Sequence, residues 1–226
     1  MREILSSQAF GIMLTLLFYL FGGWLYKKTK FPFFSPLLVA TLMLMGYILL
    51  ADINMTTFIT DLSGIHLFLG PLIVSLAVPI IKQIDLIKKN ILPIMVGSIV
   101  GAASSIISVF VLGRWFKLDQ AILYSLIPKA STTPIAIEVA EKIGGIRSIT
   151  VAVVVMTAVL GAVIIPVIVK LFKIKDARII GMGLGTTSQA VGTAKALEID
   201  PTAGAISGVA LVFTGIVTAI IALFIQ

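Results

Sequence analysis

Residues 148–169 read SITVAVVVMTAVLGAVIIPVIV, a run without one charged side chain. It is about as long as the roughly 20 apolar residues that an α-helix needs to cross the hydrocarbon core of a bilayer. Similar charge-free runs occupy residues 4–26, 31–51, 62–81, 90–113, 179–194 and 201–226. The pattern predicts an all-α polytopic membrane protein of about seven or eight transmembrane segments.

Composition gives the same prediction. Of the 226 residues, 59% are hydrophobic and 12% are charged, whereas soluble domains are about 45–50% apolar and about 25% charged. The net charge is +7, but the basic residues form short clusters between the apolar runs, as in cytoplasmic loops of membrane proteins. Soluble enzymes and nucleic-acid binders are therefore excluded. The chain has no Cys and a single His, which excludes a disulfide framework, a thiol nucleophile and a Cys-based metal site, and one His cannot build a metal site alone. We expect neither enzymatic activity nor a cofactor.

The positive-inside rule orders the segments. Basic clusters at 27–30, 82–89 and 170–178 belong on the cytoplasmic side, and the acidic loop 51–61 belongs outside. The cluster at 170–178 stays inside only if residues 119–145 enter the bilayer and return to the same side.

That re-entrant interpretation is favoured over a full crossing by the helix breakers in residues 119–145. Pro128, Pro134 and the pair Gly144-Gly145 make a continuous helix there unfavourable. In the same interpretation residues 179–194 cross the bilayer, and the nearly neutral loop 195–202 lies outside.

A weak internal repeat divides one membrane domain, residues 1–226, into approximate halves 1–117 and 118–226. At one constant offset, residues 94–102 resemble residues 211–219, and Gly70-Pro71 align with Thr187-Ser188. Inverted repeats with interrupted helices are typical of secondary transporters. Chance similarity between two Val/Ile/Gly-rich helices is the alternative.

Two polar stretches, residues 128–138 (PKASTTPIAIE) and 181–195 (GMGLGTTSQAVGTAK), do not suit lipid-facing helices. Non-helical backbone at membrane depth is tolerated where it is buried in protein or lines a wet cavity. Hydroxyl groups and free N–H groups at the start of a half-helix suit a small anion such as a carboxylate, and Lys129 adds a positive charge. The candidate substrate-binding residues are Lys129, Ser131, Thr132, Thr133, Thr186, Thr187, Ser188, Gln189 and Thr193. The alternative is structural: Lys129 extends to the interface, and the hydroxyl groups cap or join helices.

Glycines and prolines mark the positions where the helices are expected to be interrupted. The candidate structural breaks are Gly70, Pro71, Pro79, Pro128, Pro134, Gly185 and Gly192.

Several short motifs give the chain a resemblance to a known family. They are Leu69-Gly-Pro71, Ala77-Val-Pro79 with Lys82-Gln83, Pro128-Lys-Ala-Ser-Thr-Thr-Pro134, Ile143-Gly-Gly-Ile146, Gly183-Leu-Gly-Thr-Thr187 and Gly192-Thr-Ala194. With them the chain resembles the LrgB/CidB family of antiholin-like and holin-like bacterial membrane proteins, and the membrane half of the plastid glycolate/glycerate carrier. One departure is Gln189, where the family usually has a His.

The resemblance implies a multi-pass protein of the bacterial cell membrane that affects murein hydrolase activity and autolysis. It also implies carriage of small monocarboxylates such as pyruvate or glycolate. The expected partners are a small carboxylate anion, the lipid bilayer, a small membrane protein of LrgA/CidA type and further copies of the chain, with no nucleic acid. Two functions stay open: a secondary transporter, and a holin-like regulator without a substrate.

Overall fold

The computed structural model describes residues 8–29, 34–51, 53, 71, 74–75 and 77–225, and every regular element among them is helical. The main helices are α1 Gln8–Thr29, α2 Pro36–Leu50, α3 Ala77–Lys82, α4 Ile84–Lys89, α5 Ile91–Trp115, α6 Gln120–Leu126, a 3-10 helix Ile127–Ala130, α7 Thr133–Ile143, α8 Arg147–Leu171, α9 Ala177–Ile199 and α10 Pro201–Ala222. The predicted all-α architecture is confirmed for this part of the chain.

Four described helices are long and apolar enough to cross a membrane: Ala9–Thr29 within α1, and α5, α8 and α10. Helix α2 is apolar but shorter. The number of seven or eight segments and the inverted repeat of the two halves stay predictions.

The chain forms two compact units, residues 1–75 and 76–226. In the first unit α1 packs closely on α2 at Gly22. A Cβ atom there would lie 2.9 Å from the Cα atom of Pro36 and 3.0 Å from the Cβ atom of Val39. Only glycine permits this approach.

Helices α5, α8 and α10 are the long helices of the second unit. Ser98 on α5 donates a hydrogen bond to the carbonyl oxygen of Ala210 on α10 (3.4 Å). Ile94 and Ile206 share one buried cluster, and Ile106 and Ala222 share another further along both helices. Helices α5 and α10 therefore run in the same direction.

Helices α6 and α7 and the 3-10 helix between them form a first hairpin, residues 120–143. Helix α7 folds back, because Leu123, Ile127, Val139 and Ile143 pack in one buried cluster. After α7, the amide of Ile146 donates to the hydroxyl oxygen of Ser125 on α6 (2.7 Å). The interruption predicted around Pro128 and Pro134 is thus present, and the chain reverses there.

Helix α9 is a second hairpin, residues 177–199, because its backbone is non-helical at Gln189. A Cβ atom at Gly192 would overlap the carbonyl oxygen of Leu184, which is possible only if residues 190–199 fold back along residues 177–188. Ile180, Leu184 and Ala196 share one buried cluster between these limbs.

The direction of the second hairpin corrects one prediction. Residues 179–194 do not make a single crossing, so the loop 195–202 lies at the same end of the unit as 170–178, not at the opposite end. Residues 82–89 also lie at this end, as predicted, since Arg178 donates to the side-chain oxygen of Asn90 directly after them (3.3 Å).

Candidate substrate-binding site

The two hairpins point toward each other and meet at their tips. The first tip comprises residues 127–132 and the second tip residues 187–190. The side-chain amide of Gln189 donates a hydrogen bond to the backbone carbonyl oxygen of Lys129 (3.2 Å). Ser105 near the middle of α5 and Gly161 near the middle of α8 lie beside the tips. The tips are therefore midway along the long helices of the unit.

The first tip is non-helical for reasons that are visible in the sequence. Pro128 cannot continue a helix and has φ −82° and ψ 16°. Ser131 is extended (φ −104°, ψ 170°), and its hydroxyl donates to the carbonyl oxygen of Pro128 (3.0 Å). Pro134 lies in the first turn of α7, where its missing N–H costs nothing. Pro128 thus ends one limb, and Pro134 begins the next.

Thr132 and Thr133 lie where α7 begins. Thr132 is the N-cap residue, but its side chain makes no capping hydrogen bond. Within the described part of the chain, neither hydroxyl has any hydrogen-bond partner, and both side chains are half-buried. The first N–H groups of a helix lack intrahelical acceptors and carry partial positive charge. This tip consequently offers hydroxyl and amide donors to a ligand.

Lys129 extends from the first tip to α5. Its ammonium group donates to the backbone carbonyl oxygen of Ser105 (3.2 Å) and lies 3.5 Å from the hydroxyl oxygen of Ser108. No carboxylate forms an ion pair with it among the described residues. A charge at membrane depth is costly, about 2.5–3.5 kcal/mol on insertion scales. Both acceptors are neutral, so the charge is left uncompensated.

The second tip has a strained backbone. Gln189 has φ 53° and ψ −136°, a conformation that glycine adopts readily and other residues rarely. Such strain costs about 1–3 kcal/mol and persists only where the surrounding structure enforces it. Residue Gln189 is only 6% exposed, so its hydrogen bond to the first tip is largely shielded from solvent.

The hydroxyl groups of the three residues before Gln189 already take part in hydrogen bonds. Thr186 donates to the carbonyl oxygen of Met182 (2.8 Å), and Thr187 donates to that of Gly183 (2.6 Å). Ser188 lies 3.2 Å from the hydroxyl oxygen of Thr187. The sequence pattern predicts these residues at the start of a half-helix. They end the first limb instead, because the backbone reverses at Gln189, and they face the negative end of the helix dipole.

Thr193 lies in the second limb, directed toward α10. Its hydroxyl donates to the carbonyl oxygen of Gln189 (3.0 Å) and lies 3.0 Å from the hydroxyl oxygen of Ser207. Thr193 and Ser207 are fully buried. This pair holds the second limb against α10 immediately below the tip.

The other predicted breaks have different positions in the structure. Gly185 and Gly192 have helical backbone, and the break lies between them at Gln189. Gly185 packs on Ser207: a Cβ atom added to Gly185 would lie 2.9 Å from the Cα atom of Ser207. Both glycines permit close packing instead of interrupting a helix. Pro79 lies within α3, Pro71 has helical backbone, and Gly70 lies outside the described residues.

Gly161 on α8 is a residue of the site that sequence reasoning missed. A Cβ atom there would overlap the hydroxyl oxygen of Ser188 and lie 3.3 Å from that of Thr187. Glycine in an apolar run often marks close helix approach, and this signal is present within residues 148–169. Ser105 and Ser108 contact Lys129 and were missed, because serines are common at helix contacts in membrane proteins and do not by themselves indicate a site.

Comparison with known proteins gives matches over nearly the whole chain. A family model described as the LrgB-like family matches residues 15–226. Antiholin-like protein LrgB of Bacillus subtilis (strain 168) is 34% identical over 99% of this chain and 98% of its own length. Antiholin-like protein LrgB of Bacillus cereus (strain B4264) is 33% identical over 94% of this chain and 93% of its own. Uncharacterized protein YwbG of Bacillus subtilis (strain 168) is 35% identical over 92% of both chains. No solved structure shows significant similarity.

Proposed function

The chain belongs to the LrgB-like family, and on that premise we propose that it is a secondary transporter of small monocarboxylates such as pyruvate or glycolate. It acts in the bacterial cell membrane as a multi-pass protein and performs no chemical conversion. Movement of an acidic metabolite across the membrane influences murein hydrolase activity and autolysis indirectly.

The contact between the two tips is the observation that carries this proposal. Lys129 and the start of α7 belong to the same hairpin, and the contact with Gln189 holds this end of the hairpin midway along the long helices. The charge of a bound carboxylate would be neutralised by Lys129. The carboxylate would accept hydrogen bonds from Thr132, Thr133 and the first N–H groups of α7. A pore or a purely structural protein has no need for an unpaired ammonium group at that depth.

The order of elements supports alternating access. Each hairpin is followed by one long helix, residues 120–171 in one case and 177–222 in the other. The hairpins enter from opposite ends of the unit, so the second set is inverted relative to the first. Secondary transporters with inverted repeats bind their substrates between the repeats, at interrupted helices.

The distribution of charge supports an orientation. The end that holds residues 82–89, 170–178 and 195–202 contains eight of the basic residues, and the opposite end of the unit contains Arg114, Lys117, Lys142 and Arg147. The positive-inside rule then puts the first end in the cytoplasm. The second hairpin enters from the cytoplasmic side and the first from outside.

Uptake of labelled pyruvate and glycolate into proteoliposomes tests the transport function. We expect saturable uptake that is inhibited by excess unlabelled carboxylate. Protein-free liposomes should show no such uptake. Labelled glycerol, which is similar in size but uncharged, should enter both preparations at the same rate. Equal carboxylate entry with and without the protein would contradict a carrier.

A second candidate function is regulation without a transported substrate. The names of two relatives, Antiholin-like protein LrgB, favour it. In that case the chain acts through assembly, with further copies of itself and with a small membrane protein of LrgA/CidA type. Control of autolysis that survives in a variant unable to bind any carboxylate would support this function over transport.

A further inference from the structure

We infer that Gln189 is a positioning residue for Lys129: it holds the first tip in place, so that the ammonium group is presented to the substrate. The effect on carboxylate affinity rests on the proposed transport function. The effect on the position of the tip does not.

The backbone of Gln189 is the first observation. The conformation at φ 53° and ψ −136° favours glycine, and the same hairpin contains Gly181, Gly183, Gly185 and Gly192. A glycine would relieve the strain here but has no side chain. The presence of a long amide side chain at the one strained position of the hairpin indicates that the side chain has a task.

The hydrogen bond of Gln189 defines that task. Its amide crosses from one hairpin to the other and ends on the carbonyl oxygen of Lys129. The neighbours Pro128 and Ala130 are buried, so this carbonyl has little access to other donors. The ammonium group at the end of the Lys129 side chain donates to the backbone carbonyl oxygen of Ser105. Lys129 is therefore held at its backbone by Gln189 and at its side chain by α5.

The chemistry of the amide fits a fixed role. An amide does not titrate, so the contact persists at every pH at which the protein is folded. It also adds no charge that would compete with a carboxylate for Lys129. An ionised carboxylate side chain at this position could not donate to the carbonyl oxygen of Lys129.

Two variants separate the side chain from the strain. Gln189→Met keeps the length and the strained backbone but loses the donor. Gln189→Gly loses the donor and relieves the strain. We expect each to weaken pyruvate binding roughly tenfold, as for loss of a buried hydrogen bond, while Gln189→Gly, which alone relieves the strain, should have a higher Tm than Gln189→Met.

Two control variants lie away from the site. Gln120→Met also removes a hydrogen bond from a side-chain amide, since Gln120 donates to the hydroxyl oxygen of Tyr124 at the exposed foot of the first hairpin (2.6 Å). Lys117→Gly relieves a positive φ of 52° in the loop before α6. Pyruvate affinity should be unchanged in both.

A cross-linking measurement tests the position without relying on transport. The chain is free of cysteine, so Lys129→Cys with Ser108→Cys creates a single pair for a short bifunctional thiol reagent. We expect Gln189→Met and Gln189→Gly to lower the cross-linking yield of this pair severalfold, and Gln120→Met to leave it unchanged. An equal yield in all variants would overturn the inference. If the unaltered protein binds no carboxylate, the transport function fails, and the yield still decides whether Gln189 positions the tip.

Discussion

The side-chain amide nitrogen of Gln189 lies 3.2 Å from the backbone carbonyl oxygen of Lys129, a residue 60 positions away in the chain. Each residue belongs to a helix that is interrupted midway, and an interrupted helix leaves polar backbone groups without partners. The contact joins these two regions and supplies a donor to the carbonyl oxygen of Lys129. The candidate site therefore exists only where both hairpins are folded, and neither segment forms it alone.

Replacement of Lys129 is the most direct test of the site. If the ammonium group binds a carboxylate, Lys129→Gln should abolish saturable pyruvate uptake. Lys129→Arg should retain the charge but bind more weakly, because the planar guanidinium demands a different geometry from a compact ammonium group. Substrate affinity in the two variants provides the measurement.

Lys142→Gln is the matched control, because Lys142 is an exposed lysine at the foot of the same hairpin. It should transport normally. Near-normal uptake by Lys129→Gln would show instead that this lysine only extends toward the interface.

Thr133, at the start of α7, and Thr187, in the second tip, should differ in their effects. The hydroxyl of Thr133 has no hydrogen-bond partner in the described structure, whereas that of Thr187 donates to the carbonyl oxygen of Gly183. Thr133→Val should weaken substrate binding by about 1–3 kcal/mol, roughly ten- to hundredfold, with little change in Tm. Thr187→Val should lower Tm and change affinity less. Isothermal titration and thermal unfolding of the purified proteins would measure both, and the opposite pattern would assign the ligand to the second tip.

Gly161 should be intolerant of a side chain. Gly161→Ala places a methyl group where the hydroxyl oxygen of Ser188 lies, so we expect the second tip to shift and uptake to fall. Gly183→Ala is the control, since its added methyl group would meet Ile165 at an ordinary 3.6 Å. The double variant Gly161→Ala with Ser188→Ala should recover part of the activity; no recovery would mean that the contact with Ser188 is not the cause.

Single cysteines in this cysteine-free chain would test the orientation. A cysteine at residue 175 and another at residue 198 should react from the same side of the membrane, because the second hairpin returns to the end from which it starts. A cysteine at residue 117 should react from the opposite side. Labelling with an impermeant maleimide in intact cells and in lysed cells measures this, and opposite sides for residues 175 and 198 would contradict the hairpin.

Much of this architecture is predictable from the sequence. The rest is not predictable, because it depends on contacts between distant parts of the chain. The interruption near Pro128 is predictable because proline removes a backbone donor and clashes with the preceding turn. Gln189 gave no such signal, since a non-glycine residue at positive φ is stabilised by its tertiary surroundings. Thr186 and Thr187 were placed at the start of a half-helix for the same reason: the position of the break decides which end of the dipole they face. Gly161 became informative only when its neighbour across the helix interface was known.

The connections of the two hairpins bear on how the site can move. One residue, Asp200, links the second hairpin to α10, and its carboxylate accepts hydrogen bonds from the amides of Thr202 (2.7 Å) and Ala203 (3.2 Å). Three residues, 144–146, link the first hairpin to α8. Across this link the amide of Ile146 donates to the hydroxyl oxygen of Ser125 (2.7 Å), and the hydroxyl of Thr150 on α8 donates to the carbonyl oxygen of Ser125 (3.1 Å). Because both links are short and hydrogen-bonded, we expect each hairpin to move as one body with the long helix that follows it.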